Sequence, residues 1–353
     1  MRLDDLLKSI VPADGKAKQQ AQRRWDSIAK PLGSLGRLEE AVVRIAGMRG
    51  NPNFSLERRG LVIMCADNGV VAEGVTQTGQ EVTATVTENF TKGATSVCAM
   101  ARVAKCDWFP VDIGVAANLG GCSGLIHHKV AWGTKNLRWE PAMTREQAKE
   151  AICFGAQLAL DLGEKGYQLL ATGEMGIGNT TTSSAMTAVL VGCPVEEVTG
   201  RGAGLSTPAL SHKVEVIRQA IDLHRPDPQD PLDVLSKVGG LDIAGLAGVF
   251  LGAASARLPV LVDGFISAVA ALTAVRLCPA AADYLLASHI SQEPASALLL
   301  QELGLSPLIC ADMHLGEGSG AVAAIPLLDM AVAVYQQMCT FAETEIEAYQ
   351  PLK

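Results

Sequence analysis

Three glycine-rich stretches hold the residues best suited to chemistry. The first, T-G-E-M-G-I-G-N-T-T-T-S-S-A over 172–185, places Glu174 two residues before Gly176, with Gly178, Asn179 and Thr180 opening a run of hydroxyls. Glycines there would let backbone N–H groups approach an oxyanion, and Asn179 and Thr180 fall where a helix N-terminus favours negative charge. The order G-x-x-G-x-G is neither the dinucleotide fingerprint nor a P-loop. A tight strand-to-helix turn, with hydroxyls bonding back to their own helix, accounts for the same residues.

The second stretch, 199–213, joins Gly202 and Gly204 to Lys213. The lysine suits a phosphate counter-ion, against the commoner solvated surface lysine, and Arg201 could instead pair with a carboxylate. In the third, 312–328, Glu317 lies between Gly316 and Gly318. Partial burial would raise its pKa as a general base requires; a solvated turn glutamate is the plain alternative. His314 either shares that face or caps the preceding strand. Asp67, Asp112, Asp242 and Asp263 are read as further loop carboxylates, suited to the hydroxyls of a ribose or to a divalent metal. No D-x-D or H-x-x-x-H ligand set occurs, so metal is the weaker option. The pair His127 and His128 reads as surface.

These residues need a scaffold. Short apolar runs ending in polar residues recur at G-L-V-I-M-C-A-D-N-G, C-D-W-F-P-V-D-I-G, Y-Q-L-L-A-T-G-E-M-G, L-P-V-L-V-D-G, A-D-Y-L-L-A-S-H-I-S and S-P-L-I-C-A-D-M-H-L-G-E-G. Such runs are strands buried on both faces, and the longer periodic segments between them are helices. The pattern predicts an α/β fold, a mostly parallel Rossmann-like sheet with helices on both faces. Ligands bind such sheets outside the carboxyl ends of the strands, where the polar residues that end these runs fall. Thr144 and Gln147 have capping-box spacing, and the three prolines of 224–235 interrupt any continuous helix. Residues 1–50 with 323–353 are expected to form a small helical domain beside a catalytic domain over 51–322.

The net charge of -8 over 353 residues argues against a nucleic-acid partner, since phosphate backbones demand a basic face. Nine scattered cysteines without C-x-x-C spacing suit reduced, buried thiols in a cytoplasmic protein. The N-terminal twenty residues lack the apolar core of a signal peptide. The apolar stretches 243–275 and 320–338 contain charges and prolines and read as buried helices and a strand, with no membrane partner expected.

P-L-G-S-L-G-R-L-E, A-D-N-G-V-V-A-E-G-V, E-V-T-A, A-T-G-E-M-G-I-G-N-T-T-T-S-S-A, T-G-R-G-A-G, V-G-G-L-D-I-A-G-L-A-G, P-V-L-V-D-G-F-I-S, S-H-I-S and L-G-E-G-S-G-A-V follow one another in the chain. In order and spacing, from about residue 30 to 330, they resemble the nicotinate-nucleotide:dimethylbenzimidazole phosphoribosyltransferase family. The resemblance implies transfer of phosphoribose from nicotinate mononucleotide to a lower-ligand base of a cobamide, giving an α-nucleotide. It implies Glu317 as general base, Glu174 and Asp263 beside the ribose, and phosphate on Gly176, Gly178, Asn179, Thr180 and Gly202, with Lys213 and Ser291 near. It implies no metal or other cofactor, and a homodimer or a dimer with a paralogous subunit. Aligned on the family, Gln80, Glu88, Met175 and Leu315 would line the base pocket. Asn68 stands where the family has a histidine, and with Gln80, Glu88 and Met175 it suggests a broader set of bases, phenols included. A donor activated by pyrophosphate would require paired acids before a T-G-x-T loop, which L-V-D-G-F-I-S lacks. A non-catalytic subunit on the same scaffold is the alternative from outside enzymes.

Overall fold

Eight consecutive residues of Arg59–Ala66 (β1) are buried, as their apolar run requires of a strand covered on both faces. The computed structural model describes residues 1–349. The other strands are Asp107–Gly114 (β2), Ile126–His127 (β3), Leu169–Met175 (β4), Val260–Val262 (β5) and Leu285–Ala287 (β6). They form one sheet in the order β3-β2-β1-β4-β5-β6, with every pairing parallel. The chain builds outward from β1 on one side and from β4 on the other. The crevice where ligands bind such a sheet lies at the carboxyl ends of these two central strands.

Five of the six expected strands form. The sixth, over 306–318, does not: it meets the sheet only through one bridge between His289 and Ile309. Beyond that bridge Asp312, Gly316, Glu317 and Gly318 take left-handed backbone angles, which no ladder tolerates. The sixth position is filled by β3, so His127 is an exposed strand residue. His128 stacks on Phe154 with ring centroids 4.0 Å apart.

The helix Arg145–Glu164 opens with the Thr144–Gln147 capping box. It lies against the helix Leu241–Ser255 with backbones in contact. A Cβ on Gly155 would lie 3.0 Å from the Gly245 carbonyl carbon, and one on Gly248 would lie 2.8 Å from that of Ile152. The helix Thr207–His224 ends before the proline cluster, with Arg225 left-handed at its cap. The terminal segments meet each other. Trp25 packs on Tyr335 at 5.2 Å between ring centroids, and Ile28 bridges Thr340 in antiparallel fashion. The expected domain boundary at 322/323 falls inside one helix, Ser319–Gln337. That helix runs unbroken through Pro326 and is long and apolar enough to cross a membrane, yet half of it is buried, and it packs on β4, β5 and the helix Arg37–Arg49. All nine cysteines are free; Cys310 and Cys339 are exposed rather than buried.

Candidate active site

A cavity of about 270 Å³ opens at the carboxyl ends of the strands. β4 delivers Glu174 and Met175 to it, then turns through Gly176 and Gly178 into the helix Asn179–Val191. Gly178 occupies the cap in a left-handed conformation, φ 91°, that a side chain would oppose. The helix therefore starts at the cavity wall, where its positive end favours an anion, although the Asn179 and Thr181 N–H groups already donate to the Gly176 and Gly178 carbonyls. The hydroxyl run divides by partner: Thr182 and Ser184 donate back to the carbonyls of Asn179 and Thr180. Thr180 instead points its oxygen at Lys213, whose Nζ donates across 2.8 Å.

Lys213 is wholly buried. Its second bond runs to the Gly200 carbonyl at 3.3 Å, and burial pushes its pKa down to about 8. Gly202, Arg201 and Ser291 close this pole of the cavity. Arg201 is bonded to the Leu205 carbonyl and the Thr207 hydroxyl rather than to a carboxylate. Glu293 also lines this pole; burial raises its pKa and the Lys213 charge opposes the rise.

The opposite wall is acidic. Glu317 sits at φ 62° between two left-handed glycines, Gly316 and Gly318. Its Oε2 accepts the Val97 N–H at 3.3 Å. Burial raises its pKa, the Val97 bond opposes the rise and the Asp263 charge adds to it. The Gly316–Gly318 turn interlocks with the end of β4. A Cβ on Gly316 would stand 2.6 Å from Glu174 Oε1, and one on Gly173 would stand 2.7 Å from the Glu317 carbonyl carbon. Glu174 is buried and accepts from Asn179 Nδ2. Its pKa is pushed up to about 8 by burial first and by the Asp242 charge second. Asp263, also buried, accepts the Ala321 N–H at 2.9 Å at the start of the helix Ser319–Gln337.

Gly176, Gly178, Asn179, Thr180, Gly202, Lys213, Asp263, Ser291, Glu174, Met175, Leu315 and Glu317 thus share one cavity. Gln80 and Glu88 are not among its lining residues. Gln80 donates to the Asn68 carbonyl at 3.1 Å. Glu88 lies on the outward face of the helix Glu81–Thr91, paired with Lys92; that helix buries Thr83, Thr87 and Phe90. The same segment contributes Thr76, Gln77, Thr78 and Val86 instead. His314 lines the rim, its Nδ1 3.0 Å from the Asp312 carbonyl. Asp67 and Asp112 are buried outside the cavity, Asp112 paired with Lys129. Asp242 belongs to the first turn of a helix rather than to a loop.

Sequence reasoning put His289 at the ligand edge of the sheet but gave it no role; it lines the cavity with its Nδ1 3.1 Å from Ser288 Oγ and 4.0 Å from Asp263 Oδ1. Its signal was present in S-H-I-S at the end of a predicted strand. Among the described residues no cluster of His, Cys, Asp and Glu has a metal-binding arrangement.

Known proteins resemble this one in sequence and fold. The family model DBI_PRT, described as phosphoribosyltransferase, matches residues 10–346. A protein of Ruminiclostridium cellulolyticum named nicotinate-nucleotide--dimethylbenzimidazole phosphoribosyltransferase is 48% identical over the full length of both chains. One of the same name from Acetivibrio thermocellus is 50% identical over 98% of each. The crystal structure of CobT from Thermus thermophilus superposes with a TM-score of 0.89 at 40% identity, covering 94% of this chain and 99% of that one. The chain belongs to the DBI_PRT phosphoribosyltransferase family.

Proposed function

We propose that this chain transfers the phosphoribosyl group of nicotinate mononucleotide to an aromatic lower-ligand base, 5,6-dimethylbenzimidazole or a related benzimidazole or phenol. Nicotinate leaves, and an α-riboside 5′-phosphate remains for the nucleotide loop of a cobamide. The observation that carries this reading is a single cavity with two unlike poles: a buried lysine beside a helix N-terminus, and a wall of carboxylates. That combination suits a ligand joining a phosphate to a sugar carbon that turns cationic in the transition state.

The phosphate would rest against the Gly176–Thr180 turn and Gly202, with Lys213 and Ser291 alongside. Glu174 and Asp263 would face the ribose, and Met175, Leu315 and Val86 would contact the base. Glu317 takes the proton from the incoming base as the base attacks the anomeric carbon. The bond to the pyridinium nitrogen breaks with its electron pair left on that nitrogen, which neutralises the ring, so nicotinate departs without protonation. Attack from the opposite face inverts the carbon. Met175, an adaptable apolar contact, supports a base range broader than dimethylbenzimidazole. We further read the protein as cytoplasmic, as a homodimer or a dimer with a paralogous subunit, and its terminal helices as a small domain.

Incubation with nicotinate mononucleotide and a panel of benzimidazoles, phenol and p-cresol tests the reading by mass spectrometry. Nicotinate release with α-nucleotide formation is expected. No release with any base would return the non-catalytic alternative. A preference for dimethylbenzimidazole by orders of magnitude would defeat the broader range.

A further inference from the structure

One buried amide serves two carboxylates. Asn179 Nδ2 donates to Glu174 Oε2 and, at 3.1 Å, to Asp242 Oδ2. Asp242 is fully buried and does not line the cavity. Behind it, Asp242 Oδ1 and Asn68 Oδ1 have no hydrogen-bond donor, and both crowd the point a Cβ on Gly240 would occupy. Two ionised carboxylates on one nitrogen, with acceptors unmet on their far side, are expensive to bury; one proton held between them relieves the charge.

We propose that Asp242 is a positioning residue: acting through the Asn179 amide, it makes Glu174 hold a proton while the site is empty and yield it to solvent when a pyridinium-bearing nucleotide enters. The inference rests on the function proposed above, which supplies a nucleotide whose pyridinium ring is locally positive although its net charge is negative.

The surrounding groups favour this arrangement. Asp67 bears on Asp242, and Asp263 and Glu317 bear on Glu174, all of like charge. The cations nearby are already engaged, Lys129 with Asp112 and Lys213 with Thr180 and Gly200, and His289 lies against Ser288. Asn179 and the N–H groups of Ile243 and Asp242 at the helix start oppose the trend. Burial nonetheless raises both carboxyls, and Glu174 has the two further acids, Asp263 and Glu317, beside it. A pyridinium in the cavity supplies the missing positive charge, so Glu174 ionises where it can stabilise the cationic sugar carbon.

Asp242→Asn keeps the shape and removes the charge. Its acid limb in kcat/KM is expected about one pH unit below that of the wild type, roughly a tenfold gain in relative activity along that limb. Calorimetry of nicotinate mononucleotide binding near neutral pH, in buffers of different ionisation enthalpy, is expected to show proton release by the wild type and less than half as much by the variant. Superimposable pH profiles with equal proton counts would overturn the inference, whereas a purely structural role would lower activity at every pH. Should the variant not fold, infrared difference spectra of the wild type decide: nucleotide binding must bleach a protonated-carboxyl C=O band, and no bleach defeats the inference. Absence of nicotinate release by the wild type would sink the proposed function and leave the binding measurements to judge Asp242.

Discussion

Replacing Lys213 by methionine separates stability from function in a way the structure makes quantitative. The ammonium is wholly buried, and both its hydrogen-bond partners are neutral. A pKa lowered from 10.5 to about 8 corresponds to about 3 kcal/mol of folding free energy, at about 1.4 kcal/mol per unit. The folded-state value is depressed for a cation, so the penalty is fully present below pH 8 and fades as pH rises from 8 to 10.5. Methionine removes that penalty but leaves Thr180 Oγ1 and the Gly200 carbonyl without this donor, a loss of about 1 kcal/mol each. Lys213→Met is therefore expected to be more stable than the wild type by about 1 kcal/mol near neutral pH. It should become less stable by about 2 kcal/mol in strong alkali, where only the two lost hydrogen bonds count. Urea-unfolding midpoints at a series of pH values read this crossover. The same variant should raise the KM for nicotinate mononucleotide by roughly 10- to 100-fold, the loss of one charge-assisted bond to phosphate. A variant less stable at neutral pH, or a stability difference flat across pH, would refute the account of a charge whose burial outweighs its attraction to Glu293. An unchanged KM would remove Lys213 from the phosphate site.

Glu317→Gln should cut kcat by about 10²- to 10⁴-fold with little change in nicotinate mononucleotide binding, as loss of a general base requires; steady-state kinetics check both values. Because Gly173 touches the Glu317 backbone, Gly173→Ala should displace the turn and lower kcat/KM by about 10²-fold, at about 1–3 kcal/mol of stability. Full activity in that variant would show that the turn does not position the carboxylate. Trp25→Ala should destabilise the protein by about 3–5 kcal/mol, seen in the unfolding midpoint, because a fully buried ring against Tyr335 is lost.

Much of the scaffold was readable because the strands β1, β2 and β4 are long apolar runs, and a run apolar on consecutive positions has few other folds. The misreading of 306–318 has a local cause. Leu308 and Ile309 do bond along the β6 edge, but the left-handed residues after them turn that segment into the active-site loop. β3 has two residues and leaves no periodic trace. Within the site, the glycine loops and Glu317 were legible because glycines flanking polar residues after a strand have a stereochemical purpose. Glu88, expected at the base pocket, does not line the cavity: Thr83, Thr87 and Phe90 mark the inner face of its helix, which leaves position 88 outside. The burial of Lys213 had no sequence signal, since it depends on loops brought together only by the sheet.

The backbone contact between the helices Arg145–Glu164 and Leu241–Ser255 bears on how such an enzyme can diversify. With glycine at the crossing, neither helix can slide or tilt without collision. The second of them carries Asp242 in its first turn, so the acid side of the cavity inherits that rigidity. The segment from Thr76 to Val86 has no interlocked glycine crossing and meets the cavity loops through side-chain bonds instead, Gln77 donating to the Gly204 carbonyl and Thr83 accepting the Ile177 N–H. Selection for a new acceptor ring would therefore act on that rim of the cavity, while the carboxylate frame proposed to face the sugar stays in register.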